Sequence, residues 1–519
     1  LSQKCQFLYS QKTGKMVTMR HMHRFYRLIL ILSLLVFLGS CSKDSIETGD
    51  LPAPQVVSGD LPFIDTPTPI ETNEIEIIET LPPQSQLPEP PEHRTHYKLD
   101  LILDYYSKYG TVSENVTYTN RSGEAMDEIL LLVPPRDFED AYNLQSLTGE
   151  RVQSHRDEGV RTWVKLDPPL QNLESTTITI LFRLRFPAHQ GIFGHTNRQL
   201  NVADWYPFIP PYDPETGWIA YNRVTDVDNI IVGEYLVQEI ADFDVSLKLI
   251  NQPELIEVAA SAPGENRDGT FYYTLPLARA FAFSVSDSYF EHEIVHNGTR
   301  IHTYMFMNNQ DKGPALCEIA RKALELFEEL FYPYPREMIS IVAGDFLHNM
   351  EMDGMFMLSH KVIDFYIEGQ RNNMTILTPH ELSHQWFYSL IGNDTVNEPW
   401  LDEAIATYME MLYFERYHPE SVDWWWRNRV FEYDHSGYVN SDIHIEGGYV
   451  KYRAAVYLNG ARFMDDLRRT VGDEAFFAAL KDYAYTNTWK IATAEDFFKA
   501  ISDHSNANLS GLLTQYFRD

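Results

Sequence analysis

A short polar pattern between residues 380 and 403 constrains the fold more than any other part of the chain. Residues 380–384 read His-Glu-Leu-Ser-His, and Glu403 follows after a gap of eighteen residues. Residues four apart on a helix lie on one face, so His380 and His384 can bind the same metal ion. Glu403 can reach that ion only if a second helix packs against the first. The sequence therefore requires two adjacent helices with a polar cluster between them.

The residue types in this pattern are those of a catalytic zinc site. Two imidazoles and one carboxylate leave the fourth tetrahedral position open for water, whereas structural zinc sites are closed. Glu381 is offset by one position, so it projects beside the metal and can act as general base. We predict one Zn²⁺ per chain, bound by His380, His384 and Glu403. The spacing also permits other carboxylates as the third ligand: Glu398, Asp402 and Glu410.

The helix that carries the histidines is predicted within residues 378–390, with its first residue left open. Pro379 is well tolerated at a first helical position and disfavoured inside a helix. Residues 378–381 also fit a capping box, in which Glu381 would bond to the backbone of Thr378. The second helix is indicated by apolar residues at spacings of three and four: Leu401, Ile405, Tyr408, Met409 and Leu412.

Three separated segments resemble the aminopeptidase N family of zinc peptidases, in the gluzincin clan. Residues 380–387 and 400–404 are similar to the family's His-Glu-x-x-His-Gln-Trp and Trp-Leu-Asn-Glu-Gly pair at the same gap. Residues 348–354 resemble its Gly-x-Met-Glu-Asn segment. Residues 457–461, followed by Gly472, are similar to its Tyr-Glu-Lys-Gly-Ala and later Gly. The resemblance covers roughly residues 96–519 and is strongest from about residue 330 onward.

The resemblance implies zinc-dependent removal of N-terminal amino acids from peptides with a free N-terminus. Glu381 would be the general base, and Tyr457 would stabilise the oxyanion through its hydroxyl. By chemistry alone, Tyr449 or Tyr452 would serve as well. Two alternatives keep the same fold: a zinc endopeptidase, and a non-catalytic peptide-binding module.

The choice of a free N-terminus rests on Glu351, which the resemblance implies as the ligand of the α-amino group. A second amine-binding residue is expected near residues 200–206. Residues 348–349 are His-Asn where the family has Gly-x. Glycine permits a close approach of the backbone to a substrate, and this chain has no glycine at these two positions.

The predicted fold class is α+β multidomain. An antiparallel β-sandwich domain is expected over 96–295, followed over 296–519 by a thermolysin-like mixed α/β catalytic domain. The strands predicted from alternating runs are Tyr97–Leu103, Thr177–Phe186, Asp244–Ile250, Phe281–Val285, Arg300–Met307 and Met338–Ala343. The helices predicted outside the metal-binding region are Pro314–Tyr332, Asp473–Tyr483 and Thr493–Ile501, with Thr493 as the N-cap. The C-terminal helical-repeat domain of larger family members is expected to be absent.

The first 95 residues predict export and attachment rather than a folded core. A basic segment and an apolar run of eleven residues end in Leu38-Gly39-Ser40-Cys41, which resembles a bacterial lipobox. Residues 1–41 are thus an upstream segment and lipoprotein signal peptide, with a lipid anchor on Cys41. Residues 42–95 are rich in Pro and Glu and predict a disordered linker. The expected location is the bacterial cell envelope, outside the cytoplasm and anchored to a membrane.

The net charge and the number of cysteines argue against several kinds of partner and against an internal disulfide. The net charge of −32 argues against nucleic acid as a partner and against adhesion to anionic lipid by charge alone. Of the three cysteines, only Cys317 follows the proposed lipid site. An internal disulfide is therefore excluded from the exported part, and Cys317 is expected to be a small core residue.

Overall fold

The computed structural model describes residues 87–227 and 230–518. The predictions on residues 1–86, namely the signal peptide, Cys41 and most of the linker, lie outside the described residues. Residues 87–94 run without regular structure. Leu87 packs against the larger hydrophobic core, and Trp489 Nε1 donates a hydrogen bond to Pro88 O at 3.3 Å. Within the described ranges, no helix combines the length and the apolar character that crossing a membrane requires.

The elements follow one another in an N-terminal run of strands and a C-terminal run of helices. The strands are β1 (Thr95–Asp104), β2 (Tyr109–Thr119), β3 (Met126–Leu132), β4 (Tyr142–Gly149), β5 (Val152–Glu158), β6 (Arg161–Leu170), β7 (Ser175–Arg185), β8 (Phe193–His195), β9 (Leu200–Val202), β10 (Tyr212–Asp213), β11 (Gly217–Trp218), β12 (Ala241–Ile250), β13 (Glu257–Ala260), β14 (Gly264–Arg267), β15 (Thr270–Ala278), β16 (Phe283–Ser286), β17 (Tyr289–His296), β18 (Thr299–Phe306), β19 (Met338–Gly344), β20 (Met350–Met352), β21 (Met355–Ser359), β22 (Gly392–Asn393) and β23 (Ile491–Ala492). The α-helices are α1 (Gly313–Leu330), α2 (His360–Asp364), α3 (Asn373–Ser383), α4 (Trp400–Tyr417), α5 (Val422–Trp425), α6 (Gly448–Tyr452), α7 (Asn459–Val471), α8 (Asp473–Thr486), α9 (Ala494–His504) and α10 (Ser510–Tyr516). Two π-helical segments, Trp426–Phe431 and Arg453–Leu458, continue α5 and α6. The predicted α+β class is confirmed.

A seven-stranded sheet dominates the N-terminal part, in the order β14-β15-β12-β1-β2-β7-β4. Alternation of the sequence explains its strands: in β1 every second residue, such as Leu99 and Leu101, is buried. The pairings are antiparallel except between β1 and β12, which run parallel. The prediction of an antiparallel domain is therefore wrong at this pair. A long intervening chain supplies the crossover that parallel neighbours need.

Two smaller sheets complete the N-terminal part, in the orders β3-β6-β5 and β13-β16-β9-β8. Residues from all three sheets share one hydrophobic core, in which Trp205 and Tyr206 are fully buried. These two aromatic side chains thus pack in the β core. The predicted sandwich arrangement and the domain boundary at residue 295 stay predictions. β17 ends at this boundary and pairs with β18.

A five-stranded mixed sheet forms the base of the second part, in the order β17-β18-β19-β21-β20. β18, β19 and β21 are parallel to one another, and every residue of β19 and β21 is buried. Continuous apolar runs are typical of strands covered on both faces. α1 packs on this sheet with one apolar face, which includes Cys317 as a buried free thiol.

Helix α3 begins earlier and ends earlier than the sequence predicts. Asn372 is its N-cap, with its side chain accepting a hydrogen bond from Thr375 N at 2.9 Å. Pro379 therefore lies inside the helix, and the capping box at Thr378 is not formed. The helix ends at Ser383, so His384 occupies its C-cap. Because Glu381 does not cap the helix, its carboxylate is free to face the neighbouring cluster.

Hydrogen bonds from Arg279 and to Asp353 join the β-rich part to the helical part. Arg279 is buried and donates to three carbonyl oxygens: Tyr388 at 2.6 Å, Gln238 at 2.7 Å and Lys490 at 2.8 Å. The Asp353 carboxylate accepts from the backbone N–H groups of Arg279 and Ala280 and from the Arg336 guanidinium. These contacts fix the cleft between the two parts.

Candidate active site

Three side chains from two packed helices converge on one point. The ligand atoms of His380, His384 and Glu403 all lie within 4.8 Å of one another. Glu403 Oε2 is 3.3 Å from His380 Nε2 and 3.7 Å from His384 Nε2. All three residues are buried. Across the part of the chain that the structure describes, no other group of His, Cys, Asp and Glu side chains meets this geometry.

The chemistry of this three-ligand cluster fits a zinc ion. A tetrahedral ion bonded at about 2.0–2.2 Å holds its ligand atoms roughly 3.3–3.5 Å apart. Glu403 Oε2 is a buried oxygen that lacks a hydrogen-bond partner within the described residues. Burial lowers the pKa of His380, but Glu403 and Glu410 raise it to about 10. The cluster therefore favours a positive charge, which a bound cation supplies while leaving the imidazoles neutral.

Both imidazole rings are oriented through their second nitrogen. His384 Nδ1 lies 2.9 Å from Phe387 O, and His380 Nδ1 lies 3.0 Å from Glu410 Oε1. The His384 contact is a hydrogen bond, and the His380 contact is a close ion pair outside hydrogen-bond geometry. Each leaves Nε2 of its ring for a metal ion. Glu410 is therefore not the third ligand but the residue that positions His380.

Glu410 is itself held by two donors from beyond α4. Arg429 donates Nε to Oε2 at 2.8 Å and Nη2 to Oε1 at 2.7 Å, and Trp425 Nε1 donates to Oε2 at 3.1 Å. Burial raises the pKa of Glu410, but the charge and hydrogen bonds of Arg429 outweigh burial and hold this pKa below its usual range. Glu410 thus stays ionised. Trp425 packs in the hydrophobic core of the helical part.

The two remaining alternative carboxylates lie elsewhere. Glu398 accepts from Ala494 N, at the start of α9, and Asp402 accepts from Glu403 N at 2.7 Å. Sequence reasoning kept Glu410 only as an alternative ligand and missed Arg429. Glu410 is seven residues after Glu403, two turns along the same face, and a carboxylate in an apolar helix needs a buried partner. That spacing could have indicated its role.

Glu381 lies in the same cavity and does not contact the cluster as a ligand. It is 4% exposed, and its Oε2 lacks a hydrogen-bond partner among the described residues. Burial raises the pKa of Glu381 well above its usual range, and Glu351 and Glu403 raise it further against the opposing effect of His380. A carboxylate in this setting accepts a proton readily.

Tyr457 is the tyrosine that contacts the cluster. Its hydroxyl donates a short hydrogen bond to Glu403 Oε1, and its ring stacks on His380 at 6.0 Å between centroids. Burial raises the pKa of Tyr457 well above its usual range, followed by the charge of Glu403, so the hydroxyl keeps its proton. Tyr457 lies in the π-helical segment Arg453–Leu458. Of the two alternatives, Tyr449 lines the cavity and Tyr452 is buried behind it.

Glu351 lies on β20, the edge strand of the mixed sheet, and faces the cavity. It is only 8% exposed, so the edge position does not make it a solvent-facing residue. Two more carboxylates line this end, Glu234 and Asp204. Burial raises the pKa of Asp204 to about 6, and burial followed by the charge of Glu351 raises that of Glu234.

Asp204 falls within the region 200–206, where a second amine-binding residue was expected. Glu234 was not predicted, because it lies in a connection between strands where no periodic pattern marks it.

The cavity that holds these groups has a volume of about 1160 Å³ and is lined by both parts of the chain. It is large enough for several residues of an extended peptide.

Comparison with known families agrees with this geometry. The family model described as "Peptidase family M1 domain" matches residues 316–516. Residues 316–516, called the M1 domain below, are therefore similar to M1 peptidases. The predicted relationship to the aminopeptidase N family is thereby confirmed. The M1 domain contains the three-ligand cluster together with Glu381, Tyr457 and Glu351.

Several aminopeptidases are similar to part of this chain. Aminopeptidase M1-D of Oryza sativa subsp. japonica is 25% identical over 242 residues, which cover 43% of this chain and 27% of that protein. Aminopeptidase N of Lactococcus lactis subsp. lactis is 24% identical over 238 residues, 42% of this chain and 28% of that protein. Endoplasmic reticulum aminopeptidase 1 of Homo sapiens is 24% identical over 237 residues, which cover 43% of this chain and 25% of that protein. The match thus spans about a quarter of the length of these relatives.

Proposed function

We propose that the protein is a zinc aminopeptidase that removes the N-terminal amino acid from peptides. The observation that carries the proposal is the convergence of His380, His384 and Glu403 within 4.8 Å, in a cavity that also holds Glu381 and Glu351. The M1 domain and the aminopeptidases similar to it support the same reaction class.

His380, His384 and Glu403 would hold the zinc ion. When bound, zinc acts as a Lewis acid that polarises the substrate carbonyl and lowers the pKa of water. Glu381 takes the proton from the attacking water and gives it to the departing amine nitrogen, as base and then as acid. Its burial and raised pKa suit both steps.

Tyr457 supplies a hydrogen bond to the oxyanion of the tetrahedral intermediate. Its hydroxyl donates to Glu403 Oε1, and this hydrogen bond would be exchanged for one to the oxyanion as the intermediate forms. Because burial keeps the hydroxyl protonated, it remains a donor when negative charge develops on the oxygen.

Glu351 selects a free N-terminus. An ammonium group at the acidic end of the cavity is attracted by Glu351 and by the nearby Glu234 and Asp204. This places the first peptide bond, and no later one, beside the three-ligand cluster.

The order of the five-stranded sheet and helices α3 and α4 also supports a thermolysin-like arrangement of this part.

The test compares leucine amide with N-acetyl-leucine amide as substrates of the purified protein. Free leucine amide is expected to be hydrolysed at least about tenfold faster in kcat/KM, since a charged hydrogen-bonded pair is lost on acetylation. Glu381→Gln is expected to lower kcat by about 10²–10⁴-fold with the zinc content unchanged.

Three results would count against this function. Equal cleavage of both amides indicates an endopeptidase. Full activity after removal of zinc by a chelator excludes the zinc mechanism. Zinc binding without hydrolysis of any peptide or amide indicates a binding module.

We further propose that the protein is held at the bacterial cell envelope by a lipid on Cys41. The supporting feature is the sequence Leu38-Gly39-Ser40-Cys41 after an apolar run. In a bacterial host, the full chain is expected to incorporate labelled palmitate and to sediment with membranes. Cys41→Ser is expected to abolish both, and labelling that persists in this variant would exclude Cys41 as the lipid site.

A further inference from the structure

Four arginines line the cavity, and Arg453 differs from the other three in its polar contacts. The other three are Arg223, Arg371 and Arg429. Arg429 is bound to Glu410, and Arg371 donates to Ser421 Oγ at 3.2 Å. Arg223 Nε lies 3.9 Å from a carboxylate oxygen of Asp137. Arg453 has neither a hydrogen bond nor a carboxylate within 4.0 Å among residues 87–227 and 230–518.

The guanidinium of Arg453 is nevertheless held in position. It lies over the ring of Tyr433, 4.6 Å from the ring centroid. Stacking on an aromatic face occupies the plane of a guanidinium and leaves its N–H edges free. The side chain is partly buried, and burial followed by the charge of Arg429 lowers its pKa, although an arginine remains charged at neutral pH. A preorganised cation with unused donors is a binding group for an anion.

Arg453 also lies close to the reacting centre. It precedes Tyr457 by four residues in the same π-helical segment, and both side chains line the cavity. In a π-helix, whose hydrogen bonds join residues five apart, residues four apart lie within one turn of each other. Since Tyr457 contacts Glu403, the guanidinium is within one helical turn of the side chain that contacts the cluster.

Different groups have the largest effects on the pKa values of Glu234 and Arg453, which both line the cavity. The charges that act most strongly on Glu234 are those of Glu351, Asp402, Glu403 and Asp204. Those that act on Arg453 belong to Arg429, Tyr449, Tyr433 and Glu410. The two sets share no member. Glu351, Glu403, Tyr457 and Arg453 line one cavity, so a peptide whose ammonium group lies beside Glu351 can extend past the cluster toward Arg453.

We propose that Arg453 binds a carboxylate on the leaving-group side of the scissile bond. This inference rests on the proposed aminopeptidase function and names its substrate class: peptides with a negative charge one or two residues after the cleaved bond. An extended residue spans about 3.3–3.6 Å, and Arg453 is four residues from Tyr457 in one helical segment, so the proposal places such a carboxylate against the guanidinium. Its source is either the C-terminus of a di- or tripeptide or the side chain of an acidic second residue.

Two substrate pairs distinguish these sources. Leu-Gly and Leu-Gly-amide differ only in the terminal carboxylate, and Leu-Asp-amide and Leu-Asn-amide differ only in the side chain. Where Arg453 binds the carboxylate of a pair, the charged substrate is expected to have the higher kcat/KM. Arg453→Gln is expected to lower the ratio of kcat/KM for the charged substrate to that for the neutral one about tenfold or more. This is the effect expected for loss of a hydrogen bond between charged groups. Arg453→Lys keeps the charge but loses the two-pronged geometry, so part of the ratio is expected to remain.

Arg371→Gln is the matched control, because Arg371 lines the same cavity and is already hydrogen-bonded to Ser421. Its charged-to-neutral ratios are expected to stay at the wild-type values. The proposal is overturned if Arg453→Gln leaves both ratios unchanged, or if the wild-type protein does not distinguish the members of either pair.

A binding measurement separates this proposal from the proposed function. In the Glu381→Gln variant, titration calorimetry with Leu-Gly and Leu-Gly-amide, and with the second pair, measures recognition without turnover. The charged ligand is expected to bind about tenfold more tightly, and the difference to disappear when Arg453→Gln is added. Absence of hydrolysis in the wild type with this binding difference intact would sink the peptidase function alone. Equal binding of charged and neutral ligands would sink the role of Arg453 alone.

Discussion

At the residue scale, Glu410 connects the three-ligand cluster to the helices behind it. It faces His380 Nδ1 at 3.0 Å and receives two hydrogen bonds from Arg429. A carboxylate in this position raises the basicity of an imidazole ligand and fixes its ring. We therefore expect the affinity of the cluster for zinc to depend on a residue that is not a ligand.

We predict that Glu410→Gln weakens zinc binding by about 10–100-fold, as is typical when the partner of a histidine ligand is lost. Competition with a chelator of known affinity measures the change. Glu415→Gln is the control, because Glu415 is an exposed carboxylate of the same helix that pairs with Arg468. Equal zinc affinities of wild type and Glu410→Gln would show that Glu410 does not position His380.

Glu114 on β2 is a second buried carboxylate, and it makes the stability of the protein depend on pH. Its side chain is fully buried in the β core, opposite Leu99 of β1, and both carboxyl oxygens lack a hydrogen-bond partner within the described residues. Burial raises the pKa of Glu114 well above its usual range. The folded protein therefore keeps this group protonated at pH values where the unfolded chain ionises it.

The sign of the pH effect follows from this difference. Below about pH 4.5 the group is protonated in both states and does not favour unfolding. As the pH rises toward the folded-state pKa, the unfolded chain loses the proton and stability falls. We predict that Glu114→Met is more stable than wild type and that its advantage in denaturation midpoint grows from pH 5 to pH 8. The exposed Glu254 is the control position. An advantage independent of pH would contradict the raised pKa.

At the element scale, the site depends on how closely α7 approaches α4. A Cβ atom at Gly460 of α7 would lie 2.5 Å from Ala404 Cβ and 3.2 Å from Ala404 Cα. Glycine is thus required by close packing of the two helices. The approach brings the end of the π-helical segment against α4, where Tyr457 meets Glu403.

We predict that Gly460→Ala forces the two helices apart, lowers the free energy of unfolding by about 1–3 kcal/mol and reduces kcat. Chemical denaturation and steady-state kinetics measure the two effects. Adding Ala404→Gly removes the shorter contact and is expected to recover part of both. Gly511→Ala is the control, because Gly511 lies in α10 with open space around it. A Gly460→Ala variant as stable and active as wild type would disprove the packing requirement.

Strong local patterns explain why many elements could be predicted from the sequence. β1 and α1 follow alternating and helical apolar spacing, and Thr493 forms the expected cap of α9. The start of α3 could not be placed, because Asn372 competes with Thr378 as a cap and tertiary packing decides between them. The π-helical segments leave no periodic signal. Glu234 and Arg429 join the site only through tertiary contacts, so local sequence does not reveal them.

At the scale of the whole molecule, the cavity requires both parts of the chain. The β-rich part contributes Asp204 and Glu234, and the M1 domain contributes the three-ligand cluster and Arg453. Arg279 and Asp353 hold the two parts together through buried hydrogen bonds. In the proposed function, a peptide would lie with its ammonium group beside Glu351 and its scissile bond at the cluster.

The central claim is that one zinc ion in this cluster enables removal of N-terminal residues. Its most direct test is a titration of the metal-free protein with zinc while hydrolysis of leucine amide is followed. We predict that activity rises linearly and saturates at one equivalent, and that His384→Ala neither binds this equivalent nor gains activity. Activity that is already complete without zinc, or that persists in His384→Ala, would contradict the account.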